Sequence, residues 1–320
     1  MQNSKGKIVS KAVLFYSEDF KKLDFGIGHP MRGDRYEKAL LEFKKEGLLK
    51  QLELKEPRLV SKDILEFFHT REYIKRVEAA NEGILGYVGE EAPAFRGIFD
   101  VGLLSVSAGL NCADELLKGS FELGINFCGG WHHAFEDRGR GFCIFNDIAV
   151  IANYLLDKGI GKVMIVDYDA HHGDGTQKAF YNSRDVYTVS LHQDPKTLYP
   201  FLTGFEDELG EGRGLGFNRN FPLSTYCQDK EFISKFSLAA EIIVGFRPEF
   251  VIVQMGVDGS GECFISNMQL SRKSYDYASK VIAGLQKEIG FRLIVLGGGG
   301  FRHPMLGKNW GIQIKNFIGG

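Results

Sequence analysis

Residues 167–174 read Asp167-Tyr168-Asp169-Ala170-His171-His172-Gly173-Asp174 and follow the apolar run Val163–Val166. That run has the length and composition of a buried strand. Side chains alternate along a strand, so continued alternation predicts that Asp167, Asp169 and His171 face one way. Two carboxylates and an imidazole at a strand tip make a costly core and suit a divalent cation. Asp169 and His171 would give it one oxygen and one nitrogen ligand. A catalytic zinc takes about three protein ligands and keeps a position open. The best third ligand is Asp258, which ends the apolar run Phe250–Val257 and precedes Gly259-Ser260-Gly261. Read alone, Asp258 fits a cap for the next turn better.

A second segment, Gly129-Gly130-Trp131-His132-His133-Ala134, carries two adjacent histidines after a double glycine. A glycine turn can bring both rings into one cleft, where regular strand geometry would part them. A lone histidine is ordinarily a hydrogen-bonded interior residue. A pair beside two glycines, in a chain with eight histidines, points to proton transfer. Such histidines are commonly held by a carboxylate on the second ring nitrogen. Asp167 and Asp174 remain once Asp169 is given to a metal. The count therefore fits two His–Asp pairs beside one Asp-His-Asp site.

The elements that must position these groups alternate. Ala12–Tyr16, Leu123–Phe127, Lys162–Val166, Val186–Leu191, Phe250–Val257 and Arg292–Leu296 read as short buried strands. Asp34–Leu49, Val101–Lys118, Asn146–Lys158, Asp229–Phe246 and Ser271–Ile289 have helical periodicity, with Asp34 placed to cap the first. This predicts an α/β domain with a mainly parallel sheet covered on both faces. No linker or repeat divides the chain, so residues 1–320 read as one domain. Ligands in such folds sit beyond the C-terminal strand ends. The octad, the Gly129-Gly130 turn and the Gly297–Gly300 run all follow strands there.

Composition narrows the function. The 320 residues carry a net charge of −2, which gives no electrostatic basis for nucleic-acid binding. No apolar stretch is long enough to span a membrane, and Met1–Ser10 lacks a signal-peptide core. Five cysteines, at 112, 128, 143, 227 and 263, form no C-x-x-C pair, so neither a disulfide framework nor a thiolate zinc site is expected. A reducing, cytoplasmic setting fits.

Taken together these residues resemble the zinc-dependent histone deacetylase superfamily, which includes acetoin-utilisation proteins and acetylpolyamine amidohydrolases. The resemblance rests on Gly28–Arg35, Gly129–Ala134, Gly141–Asp147, Asp167–Gly175, Ser190-Leu191-His192 and Gly297–Phe301, and runs from about Tyr16 to Trp310. The Gly-His-Pro-Met segment and Gly210–Leu223 look most like class I deacetylases and their bacterial relatives. The resemblance implies the arginase–deacetylase fold, with an eight-stranded parallel sheet between helices. It implies that Asp169, His171 and Asp258 hold zinc, or ferrous iron in its place. His133, paired with Asp174, would be general base and then acid, and His132, paired with Asp167, would assist electrostatically. Gly141, Phe142 and Tyr199 would line the tunnel for the acylated chain, and Arg35 would sit in the internal cavity below the metal. A structural potassium ion would lie near Asp167, Asp169, His171, Ser190 and Leu191, largely on backbone carbonyls. The implied reaction is hydrolysis of an acylated amine such as an acetyl-lysine peptide, an acetylpolyamine or a small acyl-amide. An oligomer is compatible with the pattern. A two-manganese ureohydrolase on the same fold would need further acids, and Ala134 follows His133 instead.

Two positions depart from the family pattern. Phe301 stands where the family usually has tyrosine, and the hydroxyl that would stabilise the oxyanion is lost. Removing one such donor costs about 2.7–4 kcal/mol. The substitution fits a slowed or differently specialised hydrolase, a binder of acylated amines, or a Tyr→Phe change made to trap substrate. Tyr199 occupies a position that is commonly phenylalanine. The loop Gly259–Phe264 is shorter than usual, and Glu90, Glu91 and Glu262 read as solvated charges.

Overall fold

A computed structural model describes residues 12–83, 86–302 and 305–319. The strands are β1 (Ala12–Phe15), β2 (Glu53–Lys55), β3 (Tyr87–Glu90), β4 (Ala92–Pro93), β5 (Leu123–Asn126), β6 (Gly139–Arg140), β7 (Val163–Asp167), β8 (Val186–Gln193), β9 (Asn218–Leu223), β10 (Phe250–Gln254) and β11 (Arg292–Leu296). The helices are α1 (Asp34–Lys45), α2 (Arg71–Ala80), α3 (Ile98–Leu117), α4 (Asp147–Asp157), α5 (Asp174–Phe180), α6 (Asp229–Phe246), α7 (Arg272–Ile289) and α8 (Met305–Gly319). Eight strands form one sheet in the order β2-β1-β5-β11-β10-β7-β8-β9, and every neighbouring pair is parallel. Every residue of β5, β7 and β10 is buried, as a sheet covered on both faces requires. The helices pack as two rows, α1–α8–α7–α6 and α2–α3–α4–α5, one over each face. This is the α/β architecture that the alternating apolar runs predict.

The four central strands, β5, β11, β10 and β7, are adjacent in space but distant in sequence. Their C-terminal ends therefore deliver four separate loops to one place: the double glycine and paired histidines, the glycine run, the Asp258 segment and the octad. A small second sheet, β4-β3-β6, lies outside this frame. Among the described residues no helix is long and apolar enough to cross a membrane. All five cysteines are free and buried.

Four local expectations need correction. The octad is not a strand past Asp167, because β7 ends there. The Asp169 N–H donates to Asp167 Oδ1 at 3.1 Å and turns the chain, so alternation does not govern Asp169 and His171. Asp34 does not cap α1. Gly33 holds the cap position, while the Asp34 carboxylate pairs with Lys38 one turn on. That helix also stops at Lys45, before Gly47, whose φ of 74° breaks it. The run Phe250–Val257 is a strand only to Gln254, and its last residues continue as an extension beside the glycine run.

Candidate active site

The octad turns twice on its own carboxylates. After the Asp167 turn, the His171 N–H donates to Asp169 Oδ1 at 3.1 Å. The neighbouring extension from β10 is held in place by backbone bonds from Met255 N–H to Leu296 O and from Val257 N–H to Gly299 O, each 3.0 Å. The Ala170 N–H then donates to Asp258 Oδ1 at 2.8 Å. These bonds bring three ligand atoms, from Asp169, His171 and Asp258, within 4.8 Å of one another. His171 Nδ1 lies 2.9 Å from Asp258 Oδ2 and 3.2 Å from Asp169 Oδ1. Burial works against a charge on His171, yet Asp258 and Asp169 hold its pKa up, at about 10. The space between the two acids is built for a positive charge, and two oxygens with one imidazole nitrogen suit zinc or ferrous iron. Among the described residues, no other group of three such ligands converges.

The acids are fixed from behind. Asp169 Oδ2 accepts from the Gln254 side-chain amide at 2.8 Å and from the Gly299 N–H at 2.7 Å. Position 299 must be glycine, since a Cβ there would lie 2.3 Å from Asp258 Oδ2. Gln254 is fully buried, and sequence reasoning missed it. Its only signal is one amide at the end of an otherwise apolar run.

The paired histidines follow β5. Asp147, at the start of α4, accepts from the N–H groups of Gly130 and Trp131 at 2.8–3.2 Å and so sets the turn. His132 Nδ1 donates to Asp167 Oδ2 and His133 Nδ1 to Asp174 Oδ1, each at 2.7 Å. The two rings lie 4.1 Å apart between centroids, and His132 Nε2 is 4.0 Å from Asp169 Oδ1. All four side chains are buried. Burial opposes charge on His132, but Asp167 and Asp169 outweigh it and raise its pKa to about 9. Burial and then the neighbouring His132 lower that of His133 to about 4, against the pull of Asp174.

The ligand trio, His132 and His133 line an open cavity of about 240 Å³ with Gly141, Phe142, Tyr199 and Phe301. Gly141 has a φ of 52°, and a Cβ on it would lie 2.5 Å from the His133 ring, so only glycine permits this approach. The Phe142 ring meets Phe301 edge-on at 6.2 Å, and the Tyr199 ring meets His133 at 5.1 Å. Arg35 is buried under the Phe301, Tyr36 and Trp310 rings at 5.1–5.2 Å and donates to Gly298 O at 2.7 Å. Ser190 pairs with Asp167 in the β7–β8 register, and Leu191 follows it. Glu91 and Phe201 also line the cavity, both with positive φ, 54° and 65°. Glu91 is exposed, as a solvated charge should be, and stands at the edge of the cavity; Phe201 has no sequence signal that marks it. Glu262 stays on the exposed loop.

The chain matches the histone deacetylase domain family over residues 29–317. It is 33% identical over 306 residues to the acetoin utilization protein AcuC of Bacillus subtilis (strain 168), covering 91% of this chain and 77% of that protein. It is 31% identical to AcuC of Staphylococcus xylosus over 298 residues, covering 89% and 77%. Among solved structures, an HDAC homolog from Aquifex aeolicus superposes with a TM-score of 0.84 at 31% identity, covering 97% of this chain and 84% of that one. An HDAC homolog complexed with SAHA superposes equally well at 32% identity, with the same coverage. The HDA15 HD domain superposes with a TM-score of 0.90 at 25% identity, covering 97% and 89%. The extent of the domain match, the identities and the shared parallel sheet agree: the chain belongs to the histone deacetylase family, as an amide-hydrolysing deacetylase with the arginase–deacetylase fold.

Proposed function

We propose that the protein removes acetyl or related acyl groups from an amine, as a zinc-dependent amidohydrolase. One observation carries this reading. Asp169, His171 and Asp258 converge within 4.8 Å in the cavity that His132 and His133 also line, each ring held from behind by its own aspartate. When bound by these three residues, zinc, or ferrous iron in its place, supplies Lewis-acid chemistry, polarising a carbonyl and making water a stronger nucleophile.

The remaining steps belong to the side chains. His133 binds Asp174 through Nδ1, so its free Nε2 is the atom that takes a proton from the attacking water. The lowered pKa of His133 keeps that nitrogen available as a base. The same nitrogen then protonates the departing amine. His132, held cationic by Asp167 and Asp169, supplies positive charge beside the developing oxyanion. Gly141, Phe142 and Tyr199 enclose the acylated chain and exclude water. The substrate is an acetyl-lysine peptide, an acetylpolyamine or a small acyl-amide. Asp167, Asp169, His171, Ser190 and Leu191 offer oxygen ligands to a structural potassium ion.

Phe301 lines the same cavity and has no hydroxyl to donate. We therefore expect slow turnover. A panel of acylated amines tested on the zinc-loaded chain and on Phe301→Tyr checks the reading. The variant is expected to be at least about tenfold faster on the preferred substrate, a conservative fraction of what one oxyanion donor is worth. No gain on any acyl-amide would mean that the tyrosine role does not transfer to position 301. Binding without turnover by either protein would favour an acyl-amine binding role instead.

A further inference from the structure

Arg140 ends β6, and its side chain is only 13% exposed. One arm of its guanidinium, Nη1, donates to Asp174 Oδ2, and Nε donates to Glu90 Oε2 at 3.1 Å. Its Cζ stands 5.2 Å from the centre of the Tyr199 ring. Asp174 is fully buried, and its other oxygen holds His133 at 2.7 Å. The residue after Arg140 is Gly141, whose backbone rests against the His133 ring. One dipeptide thus grips the pair from two sides, the carboxylate by a charge and the imidazole by contact. The other pair also has a glycine against it, Gly173, but no guanidinium. The second oxygen of Asp167 is met by a neutral backbone N–H, from Asp169.

We propose that Arg140 is a positioning residue for deacylation, fixing both oxygens of Asp174, and through them the His133 ring, while tying this pair to Glu90 beside the cavity mouth. The inference rests on His133 being the proton carrier. A carboxylate held at one oxygen can swivel, whereas charge-assisted bonds to both oxygens define its plane. Without Arg140, one oxygen of a buried carboxylate is left unmatched. It then rotates or draws in water, and His133 follows. A misplacement of about 1 Å in a reacting group lowers a rate by on the order of a hundredfold. Arg140 does not itself line the cavity, so the loss falls on kcat and not on substrate binding. The anchor at Glu90 matters for the same reason. It sits next to Glu91, which does line the cavity, so the guanidinium couples the mouth to the proton carrier.

The test is steady-state kinetics of the full zinc-loaded chain on an acetyl-lysine peptide, with thermal melting as a check of folding. Arg140→Gln is expected to lower kcat by about tenfold or more with KM within about twofold. Arg140→Lys, which keeps the charge on Asp174, is expected to recover most of that loss. A folded Arg140→Gln with wild-type kcat, a change confined to KM, or a lysine variant no better than glutamine would overturn the proposal. If Arg140→Gln does not fold, Glu90→Gln decides: it frees only the outer anchor and should lower kcat by about two- to threefold at constant KM, and an unchanged kcat would overturn the proposal. His133→Ala separates the two layers. Wild-type turnover in His133→Ala would end the reading of His133 as proton carrier. Inactive His133→Ala together with wild-type Arg140→Gln would end this inference alone.

Discussion

The two His–Asp pairs are alike in their first contact and unlike in everything around it. Each has an Nδ1-to-carboxylate distance of 2.7 Å, and each ring is buried. His132 faces two carboxylates, Asp167 at hydrogen-bond distance and Asp169 at 4.0 Å. His133 has one carboxylate, which it shares with the Arg140 guanidinium, and it lies beside the imidazoles of His132 and His171. Burial lowers the pKa of both rings; the two carboxylates beside His132 outweigh it and the imidazoles beside His133 add to it, so the first is shifted up and the second down. This contrast underlies the division of labour proposed above, with positive charge at His132 and a neutral base at His133.

The comparison is broken most severely by disrupting the ligand trio beside which both rings stand. Asp258→Asn takes one anionic ligand from the trio and leaves His171 with one carboxylate. We expect loss of stoichiometric bound metal, measured by elemental analysis of the purified chain, and loss of measurable deacylation. Retained metal and activity would place the catalytic ion elsewhere.

The next break separates the rings. His133→Ala should lower kcat by about 10²–10⁴-fold, the usual contribution of a positioned acid–base group. His132→Ala should lose less, because a cation held by the trio would still supply electrostatic support. Initial rates on one acyl-amine for both variants check this ordering, and a larger loss in His132→Ala would reverse the assignment of base and helper.

A smaller perturbation reaches only one pair. Gly141→Ala introduces a Cβ 2.5 Å from the His133 ring at a φ of 52°, and the nearest atoms it meets all belong to His133. Forcing an L-residue into that conformation costs about 1–3 kcal/mol. We expect lower unfolding stability in denaturant and a lower kcat. An unaffected kcat would show that the His133 ring tolerates displacement and that its fixed position is not what limits turnover.

How far this division could be read in the sequence follows from the physics of each residue. The central strands were legible because they are buried on both faces and read as unbroken apolar runs. The outer strands were not. The edge strand β2 is Glu53-Leu54-Lys55, and β9 contains Asn218, Asn220 and Pro222, neither of which gives a buried-strand signal. Short α5 and glycine-containing α8 fall below what helical periodicity detects. In the site, acids and histidines at strand ends announce themselves, because burying them without a purpose is expensive. Gln254 and Arg140 do not. A single amide in an apolar run and an arginine in the polar stretch Glu136–Arg140 look ordinary until the fold gives them partners.

Tyr199 offers the mildest test, and it bears on the same pair. Its ring packs against His133 at 5.1 Å, while its hydroxyl is buried with no hydrogen-bond partner among the described residues. A buried hydroxyl without a partner carries a desolvation penalty of about 1–3 kcal/mol. Tyr199→Phe keeps the ring against His133 and removes only the oxygen. If the hydroxyl is unmatched, the variant should be more stable by about 1 kcal/mol, measured by denaturant unfolding of the metal-loaded chain. Equal or lower stability would mean that the hydroxyl is satisfied in solution, with a water molecule between it and the neighbouring Arg140 and Asp174 as the simplest partner. The clamp on His133 would then extend beyond the guanidinium to a second polar group, and the contrast with the His132 pair, which no guanidinium holds, would be sharper than the direct contacts alone suggest.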